Sequence, residues 1–180
     1  MAYWIRVGSP NMVAGGKDTP MPNIVLRRIA LLAALMFIPA GPAVADFKSD
    51  MLGVHNTKRA KHCVPALSWS ASLAEGARAW AKKCKFQHSS GNYGENLAMG
   101  VPLSAKQAVR MWYNEVSSYN YSTGAFSSRT GHFTQVIWKN STQVGCGKAQ
   151  CNGQTLYVCR YSPPGNYAGE FKENVPRPCN

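Results

Sequence analysis

From residue 46 onward the chain alternates stretches of helical and strand-like apolar spacing. Phe47, Met51 and Val54-His55 recur every three to four residues, which predicts a first helix over Phe47 to Lys61. Lys58, Arg59 and Lys61 load its last turn, where cations favour the helix dipole. Cys63-Val64-Pro65 ends it, and Leu67 to Trp69 reads as a short apolar link. A second helix is predicted from about Ser72. Ser72 and Glu75 have capping-box spacing, and Leu73, Ala77, Trp80, Ala81 and Cys84 share one stripe. Residues 85–101 read as a loop, whose glycines at 91, 94 and 100 suit positive φ or close backbone approach. After Pro102 comes a third helix with a Ser104/Gln107 capping box and an apolar face of Ala108, Met111 and Trp112. Glu115 continues that face. A carboxylate there is costly unless paired, so either the helix end frays and Glu115 is wet, or it belongs to a site.

Residues 117–130 form a long polar connection interrupted by Tyr119, Tyr121 and Phe126. Gly131 to Trp138 then alternates His132, Thr134, Val136 and Trp138 against Phe133, Gln135 and Ile137, which predicts a half-buried strand led by a histidine. Gln143 to Cys151 and Thr155 to Tyr161 are two further predicted strands, joined at the Asn152-Gly153 hairpin signal. Three helices followed by three late strands predict an α+β domain.

Upstream of this domain, residues 21–45 read as a secretory signal. Arg27-Arg28 supply the charge, Ile29 to Ile38 the apolar run, and Ala43-Val44-Ala45 the cleavage site. The run is too short to span a bilayer. Residues 1–20 show no pattern, and read as an extension or as a start set upstream of Met21. The expected organisation is therefore 1–20, a signal at 21–45, and one domain over 46–180. All six cysteines lie in that 135-residue domain. An even count behind a signal predicts three disulfides and an oxidising compartment, with fifteen pairings open. The domain carries sixteen basic and seven acidic residues, a net +9. That charge suits solubility or an anionic cell wall or membrane surface. No nucleic-acid recognition motif accompanies it. Asn120 and Asn140 stand in glycosylation sequons, usable in a eukaryotic host.

Six segments in order resemble the CAP superfamily, which joins cysteine-rich secretory proteins, insect venom antigens and plant pathogenesis-related group-one proteins. They are His55-Asn56-Thr57-Lys58-Arg59; His88-Ser89 with Tyr93-Gly94-Glu95-Asn96-Leu97-Ala98; Trp112-Tyr113-Asn114-Glu115; Gly131 to Trp138; Gly145-Cys146-Gly147; and Tyr157 to Pro163. The nearest resemblance is to the fungal sterol-binding pathogenesis-related branch. It implies a disulfide-stapled three-layer α-β-α sandwich with a central antiparallel sheet. It also implies a cleft lined by His88, Glu95, Glu115 and His132. In metal-binding relatives the two histidines are ligands, so His88 and His132 are the candidate ligands for a divalent ion such as zinc or magnesium. A hydrogen-bonded cluster without physiological metal is the alternative. Tyr119, Tyr121 and Phe126 fit the aromatic loop pattern of sterol-binding relatives, although such rings can equally pack the loop down. Family pairing implies Cys84–Cys151 and Cys146–Cys159, leaving Cys63 with Cys179. The implied function is a secreted, extracellular, non-enzymatic monomer that binds or exports sterols or fatty acids, with a defence or virulence role. A metal-dependent hydrolase using Glu95 or Glu115 as base, and a basic wall- or membrane-binding module, are the alternatives.

Overall fold

The computed structural model describes residues 46–179, so the signal and extension readings of residues 1–45 lie outside the described residues. Helix α1, Phe47–Ala60, buries Met51, His55 and Arg59, one residue per turn on one stripe. Strand β1, Ser68–Trp69, follows, then α2, Ala71–Ala81, β2, Gly94–Gly100, and α3, Ala105–Asn114. The predicted Ser104/Gln107 capping box opens α3 with both reciprocal hydrogen bonds. A 3-10 turn, Glu115–Ser118, leaves α3. Helix α4, Gly131–Ile137, precedes the hairpin of β3, Gln143–Cys151, and β4, Gln154–Ser162, and the short α5, Phe171–Asn174. Asn152 and Gly153 turn that hairpin with φ of 50° and 80°, the left-handed pair that a two-residue loop requires.

The sheet order is β1-β3-β4-β2. β3–β4 and β2–β4 are antiparallel, but Ser68 and Trp69 pair in parallel with Gln143 and Val144. The sheet is therefore mixed, not wholly antiparallel as expected. Alternate residues of β4 serve two cores. Leu156 and Val158 pack with Leu97, Ala77 and Ala81 on the α2 side. Tyr157, Cys159 and Tyr161 join Met51, Trp112 and Phe133 on the other. Helices thus cover both faces. A Cβ at Gly145 or Gly147 would run into α2 backbone atoms of Ala74 and Arg78, so these glycines let α2 lie directly on β3. Disulfides join Cys63–Cys179, Cys84–Cys151 and Cys146–Cys159. The first closes a sequence separation of 116 residues. The chain-entropy account assigns a loop of that size about 4–5 kcal/mol.

Four further expectations are overturned. The Gly131–Trp138 strand is helix α4, because Phe133 to Ile137 are buried on every side and a polar-apolar alternation carries no information there. Residues 85–101 are not all loop: Gly94–Gly100 pairs with β4 over seven residues. None of its glycines takes positive φ, while the close approach also expected of them is met at Gly94, where a Cβ would run into the Gln135 side chain. Helix α2 is capped by Ser70 and not by Ser72. Ser70 N–H is held by the Val144 carbonyl while its Oγ accepts from Leu73 N–H, so the chain leaves β1 extended and caps two residues earlier. Met111 lies off the apolar face of α3, at 52 % exposure.

Candidate functional site

The site is built around α4, a seven-residue helix whose own N-cap, Thr130, makes no side-chain cap bond. The missing cap comes from elsewhere in the chain. Glu115 Oε2 accepts from His132 N–H at 3.0 Å and Phe133 N–H at 3.1 Å, and Oε1 accepts from His132 Nδ1 at 2.7 Å. This resolves the carboxylate on the inward face of α3. It ends α3, where a negative charge is unfavourable, and spends that charge at the N-terminus of α4, where it is favourable. With Nδ1 protonated against the carboxylate, His132 keeps Nε2 as its free nitrogen.

The other end of α4 is held by a cation. Arg59, fully buried, donates to the carbonyls of Val136, Trp138, Lys139, Ser141 and Pro65. Burial lowers its pKa to about 10, which leaves it charged at neutral pH. Sequence reading placed Arg59 in the last turn of α1, as a cation favourable to the helix dipole. The available signal was its position on the Met51-His55-Arg59 stripe.

A buried chain of hydrogen bonds supports α4 from the sheet. His55 Nδ1 donates to the Met51 carbonyl, and its Nε2 accepts from the Tyr161 hydroxyl at 2.8 Å. Asn96 Nδ2 donates to that hydroxyl and to the His132 carbonyl. Burial drives the His55 pKa down to about 4, so this ring stays neutral.

The second carboxylate sits differently. Glu95, at the start of β2, accepts from His88 Nδ1 and Arg160 Nε, both at 3.2 Å, and from the Ser89 N–H and hydroxyl. Burial alone would raise its pKa. The hydrogen bonds from His88, Ser89 and Arg160 outweigh that and hold it below the usual carboxylate value. Ser89 and Arg160 lie in segments that carry the family resemblance but were given no role in the site, though an arginine alternating with Leu156 and Val158 in β4 was a signal. His88 itself is open to solvent, with its side chain 63 % exposed.

His88, Glu95 and His132 line one cavity of about 220 Å³ with Asn96, Phe126, Gly131 and Asn166, while Glu115 stands behind His132. The donor set does not fit a resident metal. Both carboxylates are already committed, one to backbone N–H groups and one to Arg160 and Ser89, which leaves two imidazoles where zinc commonly takes three protein ligands. Among the described residues no group of three or more histidine, cysteine, aspartate or glutamate side chains gathers to hold an ion.

Only two of the three aromatic loop residues are brought together. Tyr119 and Tyr121 meet edge to face at 4.8 Å, with Tyr119 against Phe133 and the Arg177 guanidinium over Tyr121. Their hydroxyls are buried without a hydrogen-bond partner. Phe126 instead stands at the rim of the cavity, 60 % exposed. Asn120 and Asn140, the sequon residues, are both exposed.

Comparison with known proteins agrees with this frame. The chain is 42 % identical over 151 residues to pathogenesis-related protein 1 of Arabidopsis thaliana, spanning 80 % of this chain and 94 % of the relative. It is 45 % identical over 137 residues to protein PRY2 of Saccharomyces cerevisiae, covering 72 % of this chain but 41 % of that longer protein. The venom allergen-like protein 4 structure from Schistosoma mansoni superposes with a TM-score of 0.63 at 23 % identity, over 76 % of this chain and 97 % of that one, and so shares its fold. Residues 52–161, from α1 through Tyr161, match the cysteine-rich secretory protein (CAP) family, and the chain belongs to that family.

Proposed function

We propose that the domain acts outside the cell as a non-enzymatic lipid-binding protein that takes a sterol beneath the 119–130 connection. The observation that carries this reading is the pair of buried, unpartnered hydroxyls on Tyr119 and Tyr121. Buried polar atoms almost always find partners, so two such hydroxyls in one aromatic cluster are open to a group from outside the chain, a water or a ligand hydroxyl. A sterol is a rigid apolar plate with one hydroxyl. It matches flat rings that offer a polar anchor. The cavity that Phe126 lines is about 220 Å³, smaller than the roughly 300–1,000 Å³ usual for such ligands, and Tyr119 and Tyr121 do not line it, so binding beneath the connection requires it to lift away from Phe133. Eight of the twelve residues from 119 to 130 are exposed, which leaves little packing to oppose that movement. Hydrolysis in the cleft has less support, because neither Glu95 nor Glu115 is free to serve as a general base.

The test is the double variant Tyr119→Phe/Tyr121→Phe. It removes both hydroxyls and keeps the rings, so the fold is expected to be as stable as before or slightly more so. Binding of radiolabelled cholesterol or ergosterol is expected to weaken at least fivefold. Unchanged binding by a folded double variant would overturn the assignment.

A further inference from the structure

Cations surround the tyrosine cluster that carries the sterol reading, and no carboxylate answers them. The Arg177 guanidinium lies 4.9 Å from the centre of the Tyr121 ring, and Lys58 Nζ lies 4.3 Å from the centre of the Tyr113 ring. Tyr119 and Phe133 join these two rings into one cluster. Ring centres stand 4.8 Å apart for Tyr119 and Tyr121, 5.4 Å for Tyr119 and Phe133, and 5.8 Å for Tyr113 and Phe133. Burial, and then the like charges of Lys61 and Arg110, lower the Lys58 pKa, so cations crowd this side of the cluster. The ion pairs among the described residues are His88–Glu95, Lys106–Asp50, His132–Glu115 and Arg160–Glu95. None of them engages Lys58, Lys61, Arg110 or Arg177. Glu115, the carboxylate tied to Phe133, spends its charge on the α4 amides.

Hydrogen-bond donors are in surplus here as well. His62 Nδ1 lies 2.8 Å from the Pro176 carbonyl, which can only accept, so Nδ1 carries the proton and Nε2 is the acceptor. The Tyr113 hydroxyl, 3.1 Å from Nε2, therefore donates there and is spent. The Tyr119 and Tyr121 hydroxyls find no acceptor. Tyr119 is only 7 % exposed, so its O–H is an unpartnered donor inside the protein. Burial raises the pKa of both phenols, that of Tyr121 to about 12, and each keeps its proton at neutral pH. Two free phenol O–H groups beside a guanidinium are the donor half of an oxyanion site. Arg177 is also fixed independently of the 119–130 connection. Two residues on, Cys179 is bonded to Cys63 and gives its N–H to the Lys61 carbonyl at 2.9 Å. The tail thus holds a cation in place, against which the moving connection can close.

We propose that the ligand head taken between Tyr119, Tyr121 and Arg177 is an oxyanion, so that the preferred ligand is an acidic sterol conjugate, such as a sulfate ester, and not the free alcohol. The inference rests on the sterol reading and narrows its ligand class. A free sterol hydroxyl can accept from the phenols, but it leaves the cations unanswered and adds a donor where donors are already in surplus. A sulfate ester brings acceptor oxygens and a negative charge together. Its oxygens suit the Tyr119 and Tyr121 O–H groups and the planar fork of Arg177, as charge-assisted hydrogen bonds. Lys58, Lys61 and Arg110 stand further back and add a field of one sign, which favours an anion without touching it. The apolar rings of the sterol lie against Phe133, which the lifted connection uncovers.

The probes are cholesterol sulfate and cholesterol, each used to displace radiolabelled cholesterol from the full chain, with inorganic sulfate as the control for a bare ion site. Cholesterol sulfate is expected to bind at least about tenfold more tightly than cholesterol, the worth of one hydrogen bond to a charged group. Arg177→Gln, a change at an exposed side chain, is expected to cut that ratio to less than about threefold, since the charged donor is gone. Arg177→Lys keeps the charge without the planar fork and is expected to restore part of the ratio, which a merely structural role for Arg177 would not do. Inorganic sulfate at equal concentration is expected to displace neither sterol. Three results would each overturn the inference and leave the sterol reading standing: cholesterol binding with no preference for the sulfate, a preference that survives Arg177→Gln, or displacement of cholesterol sulfate by inorganic sulfate. Failure of both sterols to bind the wild type would overturn the two readings together.

Discussion

His132 and His88 each offer Nδ1 to a glutamate, at 2.7 Å and 3.2 Å, and they line one cavity, yet the two pairs do different work. Glu115 is part of the helical framework. It caps α4 from outside, while Arg59 gathers the carbonyls at the far end, so a short helix is held between two charges that oppose its dipole. Fixing His132 is a consequence of that clamp. Glu95 is anchored to the sheet through Arg160 and to the loop through Ser89, and His88 adds one exposed contact. The same two residue types thus make a structural joint on one side of the cleft and a solvent-facing rim on the other. A histidine–carboxylate pair carries no fixed meaning until its remaining contacts are counted.

The contrast can be broken most forcefully at Arg59. Arg59→Met leaves several buried carbonyls without a donor, at roughly 1–3 kcal/mol each. The expected loss is at least about 4 kcal/mol in urea unfolding, with α4 amides the first to exchange. A loss under 1 kcal/mol would mean that α4 does not need the clamp.

Acidification is expected to act next. Burial lowers the pKa of His55 from 6.5 to about 4 and lowers that of His62 as well. The unfolded chain therefore takes up protons first, and stability falls as pH drops from about 6.5 toward 4, by about 3 kcal/mol for His55 alone. Glu95 is held below its usual value, so its contribution is present above about pH 4.5 and is lost only at lower pH. Hydrogen exchange read against pH should show α4 loosening before β2. The reverse order would remove the distinction between the two halves.

Glu115→Gln keeps the shape but replaces a charged acceptor with an amide. It is expected to cost about 2 kcal/mol, since hydrogen bonds to a charged group contribute roughly 1.5–3 kcal/mol. His88→Ala should fall within about 0.5 kcal/mol, as expected for an exposed side chain whose carboxylate partner keeps Arg160 and Ser89. Urea midpoints for the two variants, measured side by side, sharpen the comparison. Equal losses would show the pairs to be equivalent after all.

Local patterns in the chain were legible where neighbours in sequence decide the conformation. The α1 stripe, the Ser104/Gln107 cap and the Asn152-Gly153 turn each depend on contacts within a few residues, and each appears where the spacing predicts. The anomaly at Glu115 was also visible, as a carboxylate on an apolar face. Its partner was not, because the groups it caps lie seventeen and eighteen residues further on.

The sequence by itself determined the α+β composition, the hairpin, the even set of cysteines and the family to which the motifs belong. Tertiary structure decided the rest. Gly131 to Ile137 has β-branched and aromatic residues at strand spacing, but Glu115 and Arg59 supply charges at the two ends that outweigh a local propensity of about 1 kcal/mol. Gly94 to Gly100 reads as a loop and becomes an edge strand because β4 offers it seven residues of ladder. The cleft exists because α3, α4 and β2 converge on residues that no window of sequence places side by side.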